Sequence, residues 1–339
     1  MLSDRKKTIL RAVVEGYIDK AAPISSNAVK QSFAEACSSA TIRNELSALE
    51  SMGYLIQPHV SSGRIPSEKA FRFYVDELRE LPNLSAEDLG VIRRYLDRRF
   101  ADKEDLLSAV MQTISELTDY TSVVVKSDMS DSIVAIRLVD LRNGQALAVV
   151  VTDSRVMKDG ILDVPAEFDG KVLEAAERWL NELFVGKHVS EFINFDYPYA
   201  LSNEQFRKYD AFFKRITDVL KRAALENGMS VKTFGENKIF RHTEYADTQN
   251  AEKFLQRMQC RQEIAQLFTD DGGQNGSVTI KIGGADNAPD GCSVVTTRVS
   301  LGSNVSGSIG IIGPVRMNYK KVLRVLDVVS GIINNLMGE

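Results

Sequence analysis

The side chains best suited to chemistry lie in two short runs near the start of the chain. The first is Ser38-Ser39-Ala40-Thr41-Ile42-Arg43-Asn44, continued by Ser47 and Ser51. As a helix turning about 100° per residue, it buries Ile42, Leu46 and Leu49 and points Ala40, Asn44, Ser47 and Ser51 outward, with Arg43 on the flank. Small residues let a helix backbone approach a DNA groove. Asparagine can pair with N6 and N7 of adenine, and arginine with O6 and N7 of guanine. Ser38 and Thr41, with Ser39 between them, sit at the helix start, where hydroxyls and free N–H groups suit phosphate. In the competing arrangement Arg43 pairs with Glu45 or Glu50, and Asn44 is merely solvated. The second run is His59, Ser61, Ser62, Gly63 and Arg64. Small polar residues with one arginine suit a loop tip that touches phosphate or enters a minor groove; the alternative is an ordinary hydrophilic turn.

The elements around these runs form a recognisable frame. Ser3 and Asp4 precede a helical spacing of Leu10, Val13, Val14, Tyr17 and Ile18, which Pro23 ends. A short helix from Ser25 or Ser26 carries Val29 and Phe33 inward. The turn Glu35-Ala36-Cys37-Ser38 leads to a third helix over 39–52, stopped by Gly53. Two short strands, 54–57 and 64–66, flank the Ser-Gly turn. Three helices and a hairpin in this order predict a winged helix-turn-helix over residues 1–80. A further helix from Pro66 carries Phe71, Tyr74, Val75 and Leu78. Residues 1–64 hold eight basic and six acidic side chains, an excess of two, against a net charge of −4 for the whole chain. So small an excess predicts weak binding by one copy and adequate binding by two copies on paired half-sites.

Beyond this unit the 339 residues read as a packed multidomain chain, 44% apolar and 26% charged. A helical linker spans 81–105. β-rich runs follow at 122–126, 133–140 and 146–152, the last two joined by Asn143-Gly144. A helix at 172–183 carries Trp179. Strands return at 277–282, 293–300 and 308–312 before a closing helix at 319–336. The pattern predicts one α+β domain, split into 106–195 and 275–339, around an insertion at 196–274. That insertion holds two amphipathic stripes, Phe206, Tyr209, Phe212, Phe213, Ile216, Val219 and Leu220, then Phe254, Leu255, Met258, Ala265 and Phe268. These are the core of the insertion or, in part, a dimer surface.

Other chemistry is poorly supported. Cys37, Cys260 and Cys292 make no CxxC pair, and His59, His188 and His242 have no metal-ligand spacing, so no metal or cofactor is expected. Gly283-Gly284-Ala285-Asp286 and the 302–307 loop lack the spacing of phosphate-binding loops and read as turns. No nucleophile stands beside a base, which argues against an enzyme. No apolar run approaches the roughly 20 residues that cross a bilayer. Arg11 and Glu15 interrupt the stretch after Arg5-Lys6-Lys7, so a cytoplasmic protein without a targeting segment is expected.

Residues 38–45, 49–55 (Leu49-Glu50-Ser51-Met52-Gly53-Tyr54-Leu55), Gln57-Pro58-His59, 62–66 and Arg72-Phe73-Tyr74-Val75-Asp76 resemble the HrcA family of bacterial heat-inducible transcription repressors. So do Cys292-Ser293-Val294-Val295-Thr296 and residues 309–317. The resemblance implies an α+β multidomain protein with an N-terminal winged helix, a GAF-like domain and a dimerising domain inserted into it. It also implies a homodimer that binds an inverted-repeat DNA operator upstream of chaperone operons and releases it on heat stress. A GroEL-type chaperonin would modulate that activity. The chain departs from the family at Ser39, where proline is usual, at Ser26-Asn27-Ala28-Val29, and at Val60 and Ser62. Two other functions fit the residues: a regulator whose central domain senses a metabolite, and a scaffold whose winged helix serves protein contacts. Sequence-specific DNA binding separates the scaffold from both regulators.

Overall fold

The computed structural model describes residues 2–32, 38–59, 62–78, 80–128, 131–142, 144–153, 156–164, 170–193, 195, 210–269, 276–286, 288–289, 291–301 and 305–337. Phe33, the turn residues Glu35, Ala36 and Cys37, Val60, Ser61, Asn143, Phe206, Tyr209 and part of the 302–307 loop lie outside them. The fold is a mixed α+β one with two compact units. The first comprises residues 1–124, 231–299 and 308–339; the second comprises 125–230 and 300–307.

The first unit opens with α1 (Asp4–Lys20), α2 (Ser26–Ser32) and α3 (Ser39–Ser51). Extended backbone at Ser3 and Ser38 lets each hydroxyl accept an N–H from the first turn, Lys6 for α1 and Thr41 for α3. Helix α3 stops at Gly53, whose φ of +76° few side chains tolerate. Strands β1 (Leu55–Ile56) and β2 (Ile65–Pro66) pair antiparallel, Leu55 with Pro66 and Ile56 with Ile65. Leu10, Val13, Val29, Ile42, Leu49 and Leu55 close the core beneath them. Because Pro66 is held in this ladder, the next helix starts later than the sequence suggested: Ser67 caps α4 (Glu68–Asp76), which buries Phe71, Tyr74 and Val75.

Helix α5 (Ala86–Leu96) begins with a reciprocal Ser85–Asp88 capping box, and α6 (Lys103–Thr118) with Asp102. Strand β3 (Thr121–Asp128) follows. The second unit then holds β4 (Ile133–Asp140), β5 (Gln145–Thr152), β6 (Val156–Asp163), α7 (Gly170–Phe184), α8 (Val189–Ile193) and α9 (Asp210–Gly228). Its three strands form an antiparallel sheet in the order β4-β5-β6. Ile136, Ala148 and Val150 on one face of that sheet pack with Leu180, Phe184, Phe213 and Ile216 from the helices.

The chain returns through β7 (Met229–Phe234), α10 (Thr248–Gln259), α11 (Arg261–Thr269), β8 (Val278–Ile282), β9 (Cys292–Ser300), β10 (Val305–Pro314) and α12 (Tyr319–Met337). These complete a five-stranded sheet in the order β7-β3-β10-β9-β8. Gly310 makes a tight approach possible here, since a Cβ at that position would meet the Val295 backbone and come within 3.0 Å of the Phe268 ring.

The second unit runs from Val125 to Ser230 and takes in residues 300–307, and the insertion expected at 196–274 overlaps both units. Strands β4–β6 build a sheet of their own and do not extend the five-stranded one. The second aromatic stripe, with Phe254, Met258 and Phe268, belongs to the first unit, where these side chains are buried. Strand propensity reads the same whichever sheet a strand joins, so it does not reveal this partition.

Candidate nucleic-acid interface

Helix α3 carries a sharply two-sided burial pattern. Ile42, Glu45, Leu46 and Leu49 are buried, while Ala40, Arg43, Asn44, Ser47 and Ser51 are exposed. The outward residues recur every three or four positions and form one stripe. Arg43 has no carboxylate within ion-pair distance, and the Asn44 amide has no hydrogen-bond partner, among the described residues. The two acids that could have neutralised Arg43 are engaged elsewhere. Glu45 turns inward to Arg5 and Lys6 of α1, each at 2.6 Å. Glu50 accepts from Arg64, at 2.8 Å from its terminal nitrogen and 2.9 Å from Nε.

At the start of α3, Ser38 Oγ accepts the Thr41 N–H at 3.1 Å and lies 2.9 Å from Thr41 Oγ1. This caps the helix while Ser38 and Ala40 stay exposed and Ser39 and Thr41 half-buried. In the hairpin, Ser62 closes the turn on His59: Ser62 Oγ donates to the His59 carbonyl at 2.7 Å and accepts its N–H at 2.9 Å. His59 remains exposed. Gly63 and Arg64 do not present themselves as the sequence suggested. Gly63 lies against the backbone of Ile24, and Arg64 exchanges two 2.9 Å backbone hydrogen bonds with Ile24. The Arg64 side chain is 15% exposed and faces Glu50. It forms a brace between hairpin and helix. Between these parts runs a groove of about 430 Å³, lined by Ser25, Ser26, Arg43, Ser47, Gln57 and Ser62 among others.

Sequence reasoning missed Glu45 as a buried residue. The available signal was its position three residues after Ile42 and four before Leu49, on the apolar side of the helix. The Lys6 hydrogen bond, with help from Arg5, holds its carboxyl below the usual range against the opposing effect of burial. A depressed carboxylate stabilises the fold at neutral pH, and that contribution disappears as pH falls through its folded pKa. Glu45→Gln should thus cost on the order of 1 kcal/mol at pH 7, since one partner, Arg5, is largely exposed. Thermal melts of both proteins should converge once the pH lies below the folded pKa of Glu45; a gap that persists there would remove the ionised Glu45 from the account.

No cluster of histidine, cysteine, aspartate and glutamate suited to a metal occurs among the described residues, and no helix there is long and apolar enough to cross a membrane. The model of the HrcA protein C terminal domain matches residues 104–323. The Heat-inducible transcription repressor HrcA of Ruminiclostridium cellulolyticum is 32% identical over 98% of this chain and 97% of its own length. The chain belongs to the HrcA family. The HrcA repressor of Brevibacillus brevis is similar to the same degree, 33% identical over 96% of this chain and 95% of its own. Membership makes the chain a relative of heat-inducible transcription repressors, a class of regulators and not of enzymes. A solved structure described as a hypothetical protein has a similar fold, with a TM-score of 0.56, 21% identity and coverage of 98% of this chain and 97% of that one.

Proposed function

We propose that the chain is a homodimeric repressor that binds an inverted-repeat operator upstream of chaperone operons and releases it on heat stress. A GroEL-type chaperonin would set the fraction of active protein. Residues 1–78 act as a winged helix-turn-helix, and the unit built on the five-stranded sheet as a GAF-like domain. The observation that carries the reading is the exposed stripe of α3, with Arg43 and Asn44 unpaired among the described residues while Glu45 and Glu50 are held by other cations. Helix α3 enters the major groove. Ser38, Ser39 and Thr41 meet phosphate at its start, Ala40 and Ser47 allow close approach, and Arg43 and Asn44 read base edges. His59 and Ser62 lie at the wing tip, and Gly63 and Arg64 hold the wing in place.

Fluorescence anisotropy against an inverted-repeat duplex and a scrambled one, over a salt series, tests this. Preference of about a thousandfold or more supports the repressor. Equal, steeply salt-dependent binding to both would reduce the contacts to backbone alone. Arg43→Ala and Asn44→Ala should each cost about 1–3 kcal/mol on the specific duplex and relax selectivity at one base pair. An unchanged ratio of specific to random binding would take α3 out of the groove.

The dimer is proposed to form on the face of the β4-β5-β6 sheet opposite the one that packs on the helices. Register places Val139, Leu147 and Ile161 in one row across the three strands, and Ile161 is 61% exposed. An apolar row on a sheet face is the kind of surface that a second copy covers. By contrast, Phe212, Phe213, Ile216 and Leu220 of α9 are buried within their own unit. Ile161→Glu should convert the dimer to monomer by light scattering. A variant that stays dimeric at micromolar concentration would move the interface elsewhere.

A further inference from the structure

Within the first unit a cleft of about 710 Å³ opens between the helices that precede Glu77 and the elements around α10 and β9. That volume lies in the range of small-molecule sites, which are mostly apolar with a few placed polar groups. Ile56, Pro66 and Phe71 line one wall, and Phe254 and Val315 line the other. Other charged groups along this junction are paired, including Arg316 and Glu244 of the lining itself. Arg316 meets Glu244 at 2.6 Å, Lys320 meets Glu15 at 2.6 Å, and Arg72 pairs with Asp286.

Among the described residues, several polar groups of the lining stand outside these pairs. Lys253 and Arg257 stand one turn apart on α10, and neither has a carboxylate within ion-pair distance among the described residues. The Tyr17 hydroxyl also lines the cleft without a hydrogen-bond partner among the described residues. Burial, then the Glu244 carboxylate, raises its pKa, so it stays a neutral donor. Glu68 is the acid in the lining outside an ion pair, and it lies against the Gly283 backbone. Two neighbouring cations beside aromatic and aliphatic walls match one kind of ligand.

We propose that this cleft binds a small amphipathic organic anion, with its apolar or aromatic body between the walls that carry Phe71 and Phe254 and its carboxylate, phosphate or sulfonate at Lys253 and Arg257. Tyr17 donates a hydrogen bond to it. The ligand touches both walls and therefore biases how the two are held together. The consequence for DNA rests on the reading of residues 1–78 as the DNA-binding part.

The probe is 8-anilinonaphthalene-1-sulfonate, an aromatic anion, titrated into the full-length protein, with uncharged N-phenyl-1-naphthylamine as comparator. One saturable sulfonate site per chain is expected. The double variant Lys253→Glu/Arg257→Glu should weaken the sulfonate dye at least tenfold and leave the uncharged dye within about twofold. Lys253→Ala/Arg257→Ala serves the same purpose if charge reversal disturbs folding. Displacement by decanoate against phenyl phosphate then distinguishes carboxylate from phosphate ligands. Unchanged sulfonate affinity in both double variants, or no saturable site, overturns the proposal. Operator anisotropy with saturating dye should shift at least threefold in the wild type and not in the double variants. An unshifted wild type overturns the coupling. Failure of the wild type to bind operator without dye sinks the repressor reading instead, and the dye titration still decides the cleft.

Discussion

Replacing Arg316 by alanine should destabilise the first unit by about 3 kcal/mol, more than any other single charge removal considered. The side chain is 14% exposed and joins three parts of the chain. Its Nε donates to Glu244 Oε1 at 2.6 Å and one terminal nitrogen donates to the other carboxylate oxygen at 3.3 Å. The remaining terminal nitrogen donates to the Ile18 carbonyl at 2.6 Å. Ile18 lies in the last turn of α1, where carbonyls lack partners within the helix, so the guanidinium completes the helix end. Burial alone would raise the Glu244 pKa, but the hydrogen bond and charge of Arg316, with a backbone N–H and the nearby His242, together hold the carboxyl low. Removing the arginine leaves that carboxylate half-buried without its partner. Such losses cost about 3–5 kcal/mol in fully buried pairs, and the partial exposure of Glu244 places this one at the lower end. In a unit of this size that corresponds to a fall of roughly 6–12 °C in melting temperature. Arg316→Lys should recover only part of the loss, because a lysine has no planar fork to serve the carboxylate and the carbonyl together. Calorimetry of the three proteins decides it, and coincident melts for wild type and Arg316→Ala would mean that the joint does not exist in solution. Under the proposed function the consequence is direct: the same variant should release its operator at a lower temperature, because the DNA-reading part would be held less firmly to its sheet.

How much of this was legible in the sequence differs by residue. The two faces of α3 could be read because helical periodicity acts over one turn: Ile42, Leu46 and Leu49 are buried and Ala40, Arg43, Asn44 and Ser47 exposed, as their spacing implies. The start of α1 at Ser3 and Asp4 was legible for the same reason. What escaped were pairings across sequence distance. Local spacing offers Glu45 only Arg43 as a partner, in the competing arrangement, yet its partners lie about forty residues back in α1, a contact that no local pattern encodes. Arg64 looked like a phosphate ligand because it sits at a polar turn. The Glu50 that captures it lies 14 residues earlier, on the far side of the hairpin. Sheet membership is hidden in the same way. The strands β3 and β4 are separated by only a few residues and belong to different sheets. Arg316 and its partners Ile18 and Glu244 come from three distant segments, so the joint that holds the first unit together left no trace in spacing.

The smallest of the residues first picked out carries the second large effect. Gly63→Ala should cost about 3–4 kcal/mol and abolish the hairpin's position beside α3. A Cβ at Gly63 would sit 2.9 Å from the Ile24 nitrogen and closer still to its carbonyl. Those atoms are backbone, so no rotamer change relieves the clash. The chain must separate there, and separation breaks both 2.9 Å hydrogen bonds between Ile24 and Arg64. Overpacking of this kind costs about 1–3 kcal/mol, and each lost backbone hydrogen bond adds about 1. The displacement also pulls Arg64 from Glu50, which frees that carboxylate to approach Arg43 on α3. If Arg43 reads a base, a second anion near it weakens the specific complex beyond what loss of the hairpin contacts would do. Gly63→Ala should therefore lower operator affinity more than Ser62→Ala, which removes only the turn-closing hydroxyl. The double variant Gly63→Ala/Glu50→Gln separates the two effects. Its affinity should recover in part while its melting temperature does not. Recovery of neither would confine Gly63 to a folding role, and an alanine variant that melts like the wild type would refute the close approach to Ile24 itself.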